Sequence, residues 1–289
     1  KALNGTGRNL SHEIIGNIAI GTDSLSKDVS GNYNVAVGYQ TLKENLHGDN
    51  NIALGKGSLI DSTKSNYNIG IGENALSSIN NSEVSDYNIS IGKDTLKNHT
   101  TGEENIAIGN ETSHVHTIGS QNVYIGSKSA YSDTDGSQNT VVGYNSLNTN
   151  ISGQGNSTFG YKSGDKCKGD YNIMIGYEAD APLDNFDEGD SNFIDYSISI
   201  GYKATVANNE NIAIGKNAKI DYKNPRADVS NSIAFGNNSS VKTARSTAIG
   251  VDASSNNLPN TIVIGETIPY KWLKHDHESR TGDDKYYNP

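Results

Sequence analysis

Short alternations of apolar and small or polar residues recur along almost the whole chain. Asn17-Ile18-Ala19-Ile20-Gly21 is the first of fifteen copies, and the last ends at Gly265. In all fifteen, the residue before the closing glycine is apolar, and the residue four places before that glycine is Asn, Ser or Thr. An alternation of period two predicts a short β-strand with two different faces. We therefore expect fifteen equivalent strands.

The two faces of each predicted strand differ in size. Ile18 and Ile20 point one way, whereas Asn17 and Ala19 point the other way. We expect the isoleucine face to line the protein interior. The opposite face carries mostly Ala, Gly or Ser, and we expect it to pack closely against a second surface.

The remainder of each copy is also regular. The closing glycine predicts a backbone conformation or a close contact that a Cβ atom would prevent. A small residue such as Ser24 follows three places later in fourteen of the fifteen copies, and in the first half it is commonly followed by a leucine such as Leu25. We interpret this pair as a second short strand, and Gly31-Asn32-Tyr33 as a turn before the next copy.

The repeat glycines are evenly spaced at first, as in Gly21, Gly38 and Gly55, and often lie closer together later, as in Gly201 and Gly215. Two short strands and two turns in a unit of this length fit one coil of an all-β, parallel β-roll or β-solenoid. Fifteen coils predict a rod of roughly 70 Å, with asparagine amides hydrogen-bonded in a ladder along its axis. The structural repeat positions include Asn17, Gly21, Asn34, Gly38, Asn51, Gly55, Asn105 and Gly109.

The repeats define the predicted domain organisation. Residues 1–13 form an N-terminal lead-in, residues 14–265 the β-roll repeat domain, and residues 177–200 its widest insertion. Residues 266–289 follow the last repeat and are expected to form a C-terminal cap or docking segment. In that segment Trp272 and Leu273 are large enough to cover Ile262 and Ile264, because the end of a solenoid exposes unpaired strand edges.

The composition adds a requirement for a partner. Only 33% of the residues are hydrophobic, whereas 38 are asparagine, so each coil has few large apolar side chains to bury. A single thin roll is therefore marginal in stability, and we expect a homo-oligomer that packs through the face of small residues. The net charge of −10 argues against nucleic-acid binding. No apolar run is long enough for membrane insertion by a helix.

The repeated string N-x-A-I-G-x-x-S/A resembles the head domains of trimeric autotransporter adhesins. The longer units GNYNVAVGYQTL and GDNNIALGKGSL are similar to repeats in bacteriophage and viral tail-fibre and adhesin proteins. The resemblance implies a homotrimer of left-handed parallel β-rolls. It also implies a non-enzymatic, extracellular attachment fibre or adhesin head that binds a host cell-surface receptor, either protein or glycan. Other fibre or baseplate subunits are further expected partners.

Two settings for such a fibre remain open. The longer repeat unit favours a virion surface appendage, and the residues after Gly265 do not resemble an autotransporter neck. The alternative is the head of a bacterial trimeric autotransporter adhesin on the outer surface of a cell. A structural spacer without a recognition role would be expected to have uniform coils, whereas wider gaps, such as the one from Gly176 to Gly201, interrupt the regular spacing here.

The widest insertion supplies the candidate receptor-binding residues, because loops that leave a solenoid often carry its binding function. A solvated acidic loop is the simpler interpretation. Calcium binding is a weaker alternative, because Phe186 occupies a position where an EF-hand needs an oxygen ligand. The receptor-binding candidates are Asp184, Phe186, Asp187, Glu188, Asp190 and Phe193.

The sequence predicts no catalytic residues, no cofactor and no metal. Nucleophile-elbow, zincin and phosphate-loop motifs are absent, and Cys167 is the single cysteine. His114-Val115-His116 and His275-Asp276-His277 would face one side of a strand and meet around a trimer axis, but they lie in a variable turn and after the repeats. A polysaccharide-degrading tailspike is the enzymatic alternative, which the clustered carboxylates permit and the expected lack of aromatic platforms disfavours.

Overall fold

The computed structural model describes residues 15–79, 85–181, 194–221, 230–255 and 259–265. These residues form an all-β parallel β-solenoid, as predicted, with fifteen three-residue strands in one sheet and two two-residue strands in another. The strands are β1 (Ile18–Ile20), β2 (Val35–Val37), β3 (Ile52–Leu54), β4 (Ile69–Ile71), β5 (Ile89–Ile91), β6 (Ile106–Ile108), β7 (Val123–Ile125), β8 (Thr140–Val142), β9 (Ser157–Phe159), β10 (Ile173–Ile175), β11 (Ile198–Ile200), β12 (Ile212–Ile214), β13 (Lys219–Ile220), β14 (Ile233–Phe235), β15 (Ser240–Val241), β16 (Thr247–Ile249) and β17 (Ile262–Ile264).

Every strand of the large sheet pairs in parallel with the strand of the next coil. The register aligns equivalent repeat positions, so that Ile89 lies beside Ile106 and Ile91 beside Ile108. The order of strands in the sheet is also their order along the chain, with β13 and β15 set apart in the small sheet. This regular stacking confirms that each sequence copy is one coil.

The repeat asparagines form the predicted ladder inside the solenoid. The Asn51 backbone N–H donates to Asn34 Oδ1 at 2.9 Å, and the Asn51 side-chain amide donates to the same oxygen at 3.1 Å. The Asn34 amide in turn donates to the Gly48 carbonyl at 2.7 Å. Because these amides are buried, each bond satisfies a group that would otherwise be costly to bury.

The repeat glycines also meet the prediction. Gly109 has a φ of 139°, a region that favours glycine, and a Cβ there would lie 2.7 Å from the carbonyl carbon of Gly126. The close approach of successive coils at this corner therefore excludes any larger side chain.

The predicted assignment of the two strand faces is wrong. In every strand from β2 to β16 of the large sheet, the middle residue is buried, as with Ala107 in β6, while its two neighbours lie towards the outside. The interior is narrow because the opposite wall of the coil lies close. A Cβ added to Gly70, the middle residue of β4, would lie 3.2 Å from Leu59 Cγ. Isoleucines do not fit opposite a leucine such as Leu59, so the strand turns its small face inward.

Large inward residues are matched by small ones on the opposite wall. Tyr124 takes the middle position of β7, where most coils have a small residue. On the opposite wall Ser113 precedes Tyr124 as Leu59 precedes Gly70, and it occupies the position that is leucine in most of these coils. Met174 takes the middle position of β10 and contacts Gly164, whose added Cβ would lie 3.1 Å from the methionine sulfur. The interior volume is therefore conserved by exchange between the two walls.

The second part of each coil has two forms. Coils that begin at Gly21 through Gly160 are called wide here, and their fourth residue after the glycine is left-handed, as in Leu147 with a φ of 50°. Coils that begin at Gly176 through Gly250 are called narrow, and their fourth residue is extended and pairs with the next coil, as in β13 with β15. The predicted second strand is therefore confirmed for the narrow coils and wrong for the wide coils, where Leu25 and its equivalents lie in turns.

Candidate functional site

The first and third residues of the large-sheet strands form a continuous outward face. All of these positions except Thr140, Ser157 and Thr247 hold Ile, Val, Leu or Phe. Many of the side chains are well exposed, including Ile20 at 59% and Phe235 at 50%. We call this surface the outward apolar face.

The outward apolar face is large for a monomeric protein in aqueous solution. Fifteen strands spaced about 4.8 Å apart and three residues wide cover roughly 70 Å by 10 Å, or roughly 700 Å². Contiguous apolar patches of more than a few hundred Å² are rare on monomers and commonly mark interfaces. This face is therefore the strongest candidate for a protein–protein contact.

Two columns of exposed tyrosines run beside the outward apolar face. One column precedes the repeat asparagine and includes the stacked pair Tyr67 and Tyr87, whose ring centroids are 4.9 Å apart. The other column follows the repeat glycine and contains four successive stacked rings at 5.0–5.5 Å. These stacks correct the expectation that the coils lack aromatic surfaces. The four rings belong to Tyr144, Tyr161, Tyr177 and Tyr202.

A column of mostly polar residues is buried inside the wide coils, seven residues after each repeat glycine. Several of its side chains accept a hydrogen bond from the turn that follows: Asn45 Oδ1 accepts from the Gly48 N–H at 3.0 Å, and Asp28 Oδ1 accepts from the Gly31 N–H at 2.9 Å. Burial raises the pKa of Asp28 to about 6. The column contains Asp28, Asn45, Ser62, Ile79, His99, His116, Asp133, Asn150 and Cys167.

His99 and His116 are adjacent members of this column. Their Nδ1 atoms are 3.1 Å apart, while His99 Nε2 lies 3.2 Å from the Gly102 carbonyl and His116 Nε2 lies 3.4 Å from the Gly136 carbonyl. Burial, and for His99 also the neighbouring imidazole, lowers the pKa of His99 to about 3, and burial lowers that of His116 to about 4. Both rings are therefore neutral near pH 7. Two neutral rings carry two N–H protons for three contacts, so one of the three contacts has no proton.

Asp133 follows His116 in the column and lies beside the enclosed Tyr124. The Tyr124 hydroxyl donates to Asp133 Oδ2 at 2.5 Å, and the Gly136 N–H donates to Asp133 Oδ1 at 2.9 Å. Burial raises the pKa of Asp133 to about 7 despite these bonds, and burial also raises the pKa of Tyr124. The group is enclosed by protein, so it is a structural element and has no access to a substrate.

The other candidate reactive groups, Cys167 and His114, do not form a reactive site either. Cys167 is buried, and its burial raises the thiol pKa to about 12, which leaves no nucleophilic thiolate near neutral pH. His114 stacks on Tyr131 in a half-buried position, whereas His116 points into the coil, so the two histidines do not face one side. Within the described ranges, no three His, Cys, Asp or Glu side chains are grouped to hold a metal ion.

Several predicted features lie outside the described residues. They include all six receptor-binding candidates, residues 266–289 with Trp272, and the pair His275 and His277. The sequence predictions for them stand as predictions. In the parts of the chain that are described, no helix has the length and apolarity needed to cross a membrane.

Sequence comparison adds no family assignment to this geometry. A comparison with protein-family models finds no match to the chain, and a comparison with curated protein sequences finds no significant match either.

Proposed function

We propose that this chain is part of a non-enzymatic, homotrimeric attachment fibre or adhesin head that binds a host or cell surface. In this proposal it is extracellular, on a virion appendage or, alternatively, on a bacterial outer surface. Three copies pack their outward apolar faces together around the fibre axis. The remaining sides of the rod stay exposed for receptor contact.

The outward apolar face is the observation that supports this proposal most directly. A second copy is a suitable partner because both rods repeat at the same interval, so isoleucine rows can match over the whole length. The roughly 700 Å² of the face approaches the ~800 Å² that each partner contributes to a standard interface. A ring of three copies also closes without leaving an unpaired apolar surface.

Two neighbouring residues of β6 test the assembly. Ile108→Asp places a carboxylate on the outward apolar face, so we expect dissociation into monomers while the β-sheet circular dichroism persists in part. Ala107→Asp places the carboxylate inside the coil, so we expect loss of the folded structure itself. Light scattering and circular dichroism on both variants separate these outcomes.

Lys93→Gln is the matched control for the assembly test, because Lys93 is a largely exposed residue that follows a repeat glycine. We expect it to keep both the trimer and the fold. A wild-type chain that is a folded monomer at micromolar concentration would refute the proposed trimer. Equal effects of Ile108→Asp and Ala107→Asp would contradict the assignment of the faces.

Attachment is tested separately from assembly. Fluorescently labelled wild-type protein is added to a panel of intact bacterial and animal cells, and retention is measured by flow cytometry. We expect retention on at least one cell type, and a large loss for the Ile108→Asp variant because three linked sites bind more strongly than one. A trimer retained by none of the cells would refute the attachment function.

A further inference from the structure

A recess lies where the wide coils meet the narrow coils. Its volume is about 350 Å³, within the lower part of the ~300–1,000 Å³ range of small-molecule sites. The wide coil that begins at Gly160 and the two narrow coils after it supply its walls. The lining residues are Lys162, Asp165, Lys166, Glu178, Asp180, Lys203 and Thr205.

The stacked tyrosine column runs along this recess. Tyr161, Tyr177 and Tyr202 immediately precede three of the lining residues, and their ring centroids are 5.0 and 5.3 Å apart. The ammonium groups of two lining residues lie over this column: Lys162 Nζ is 5.8 Å from the Tyr161 ring centroid, and Lys203 Nζ is 5.5 Å from the Tyr202 ring centroid. These contacts hold the two lysines in place before binding, which lowers the entropic cost of ordering them.

Asp180, at the floor of the recess, is hydrogen-bonded to the backbone of both coil types. Asp180 is only 8% exposed, and its carboxylate accepts from the Ala181 N–H at 2.8 Å and from the Lys166 N–H at 3.2 Å. The Asp180 backbone also pairs with Thr205 in the next narrow coil. These bonds fix the junction between the coils and therefore the shape of the recess.

The charges around the recess indicate which class of ligand fits. The side chains of Lys162, Lys166 and Lys203 carry donors, while those of Asp165, Glu178 and Asp180 carry acceptors. Burial raises the pKa of Asp180 to about 7, so this carboxyl is partly charged near neutral pH. Lys203 and Glu178 already form an ion pair at 3.3 Å. An anion would meet the carboxylates and a cation would meet the ammonium groups. A hydroxyl group both donates and accepts, so it can bond to neighbouring lysines and carboxylates together.

We propose that this recess binds one or two units of a neutral glycan, with sugar hydroxyls between the lysines and carboxylates. The inference deepens the proposed attachment function and rests on it, because it names the receptor class and the place of contact. Uncharged sugars fit best because the positive and negative charges around the recess are nearly balanced.

The experiment measures binding of defined sugars to the full-chain wild-type protein by saturation-transfer NMR and calorimetry. The probes are maltohexaose, cellohexaose and chitohexaose, with a hyaluronan hexasaccharide as the acidic comparison. We expect at least one neutral probe to bind more tightly than hyaluronan. The double variant Lys162→Gln/Lys203→Gln should weaken that binding at least tenfold.

Lys128→Gln is the matched control. Lys128 is also two residues after a repeat glycine and pairs with Glu111 in the preceding coil at 3.5 Å, as Lys203 does with Glu178, but it lies outside the recess. We expect it to bind sugar like the wild type. Binding of no neutral probe, preference for hyaluronan, or equal binding by the double variant would each overturn the proposal.

Cell retention of the same variants distinguishes the two proposals. If the double variant remains trimeric and still attaches to cells, the recess is not the receptor site while the attachment function stands. If the wild type binds a neutral probe through the recess but attaches to none of the cells, the sugar site stands and the attachment function fails.

Discussion

Wide and narrow coils share the same first strand and differ in the residue that points inward on the opposite wall. In a wide coil this is the fourth residue after the glycine, as in Leu147, which is fully buried in a left-handed conformation. In a narrow coil the fourth residue, Ser240, is extended, and the fifth residue, Val241, is buried instead. A change of backbone conformation at one position therefore shifts the inward register by one residue.

This difference also decides what each region encloses. The arc of the wide coil from Gly126 to Asn139 is longer than the arc of the narrow coil from Gly201 to Asn211. The longer arc adds the buried column that contains His99, His116 and Asp133. Stability of the wide region is therefore expected to depend on pH through buried groups, in a way that the narrow coils after Gly201 do not share.

Charge substitutions at the fourth and fifth residues after a repeat glycine are expected to have the largest effect on the free energy of unfolding. Leu147→Asp buries an unpaired carboxylate in a wide coil and should cost about 4 kcal/mol or more. Ser240→Asp, at the equivalent position of a narrow coil, leaves the carboxylate near solvent and should change stability by less than about 1 kcal/mol. Urea denaturation followed by circular dichroism measures both.

Val241→Asp completes this comparison, because Val241 points inward in the narrow coil. We expect a loss close to that of Leu147→Asp. If Ser240→Asp were the more damaging of the two narrow-coil variants, the proposed shift of register would be wrong.

An effect of intermediate size on the free energy of unfolding is expected when the pH is lowered. The folded pKa values of His99 and His116, about 3 and 4, lie below the ordinary value of 6.5, so the unfolded chain takes up protons first as the pH falls. Their contribution to stability is therefore complete above pH 6.5 and is lost towards pH 4. Relative to a His99→Asn/His116→Asn variant, the wild type should lose on the order of 3 kcal/mol between pH 7 and about pH 5.

Asparagine is a suitable replacement because Asn45 and Asn150 occupy the same column in other wide coils. Asp133 acts with the opposite sign: its raised folded pKa, about 7, makes its contribution complete below pH 3.8 and lost as the pH rises towards 7. It is present in both proteins, so it cancels in the comparison. Parallel pH profiles of urea midpoints for the two proteins would contradict the role of the histidines.

The smallest expected effect is the difference in stability between alanine and glycine variants at the inward position. Leu147→Gly and Leu147→Ala both lose the leucine contacts, but glycine also relieves the left-handed strain, worth about 1 kcal/mol. We expect the glycine variant to be the more stable of the two by up to that amount. At Val241, which is extended, the order should reverse because glycine loses more chain entropy. Thermal midpoints measured side by side check both orders.

The repeat pattern alone was sufficient for much of the architecture. Equal spacing of Gly21, Gly38 and Gly55 predicted coils of equal length, and identical neighbours at each position predicted parallel stacking in register. The asparagine ladder followed from the same reasoning, because stacking places each amide beside the backbone of the next. The column of four stacked tyrosines could also have been predicted, since these residues share one position in four successive repeats.

The face that lies inside was decided by the tertiary structure. Period-two alternation shows that Ile108 and Ala107 point to opposite sides, but both assignments satisfy it equally. The distance to the opposite wall decides between them, and that distance depends on the left-handed turn residues of the whole coil. The same dependence explains why the exchange of volume between Tyr124 and Ser113, and the recess between the two coil types, could be recognised only in the folded chain. Local order in this protein follows from the repeat, whereas its inside and outside follow from how tightly each coil closes.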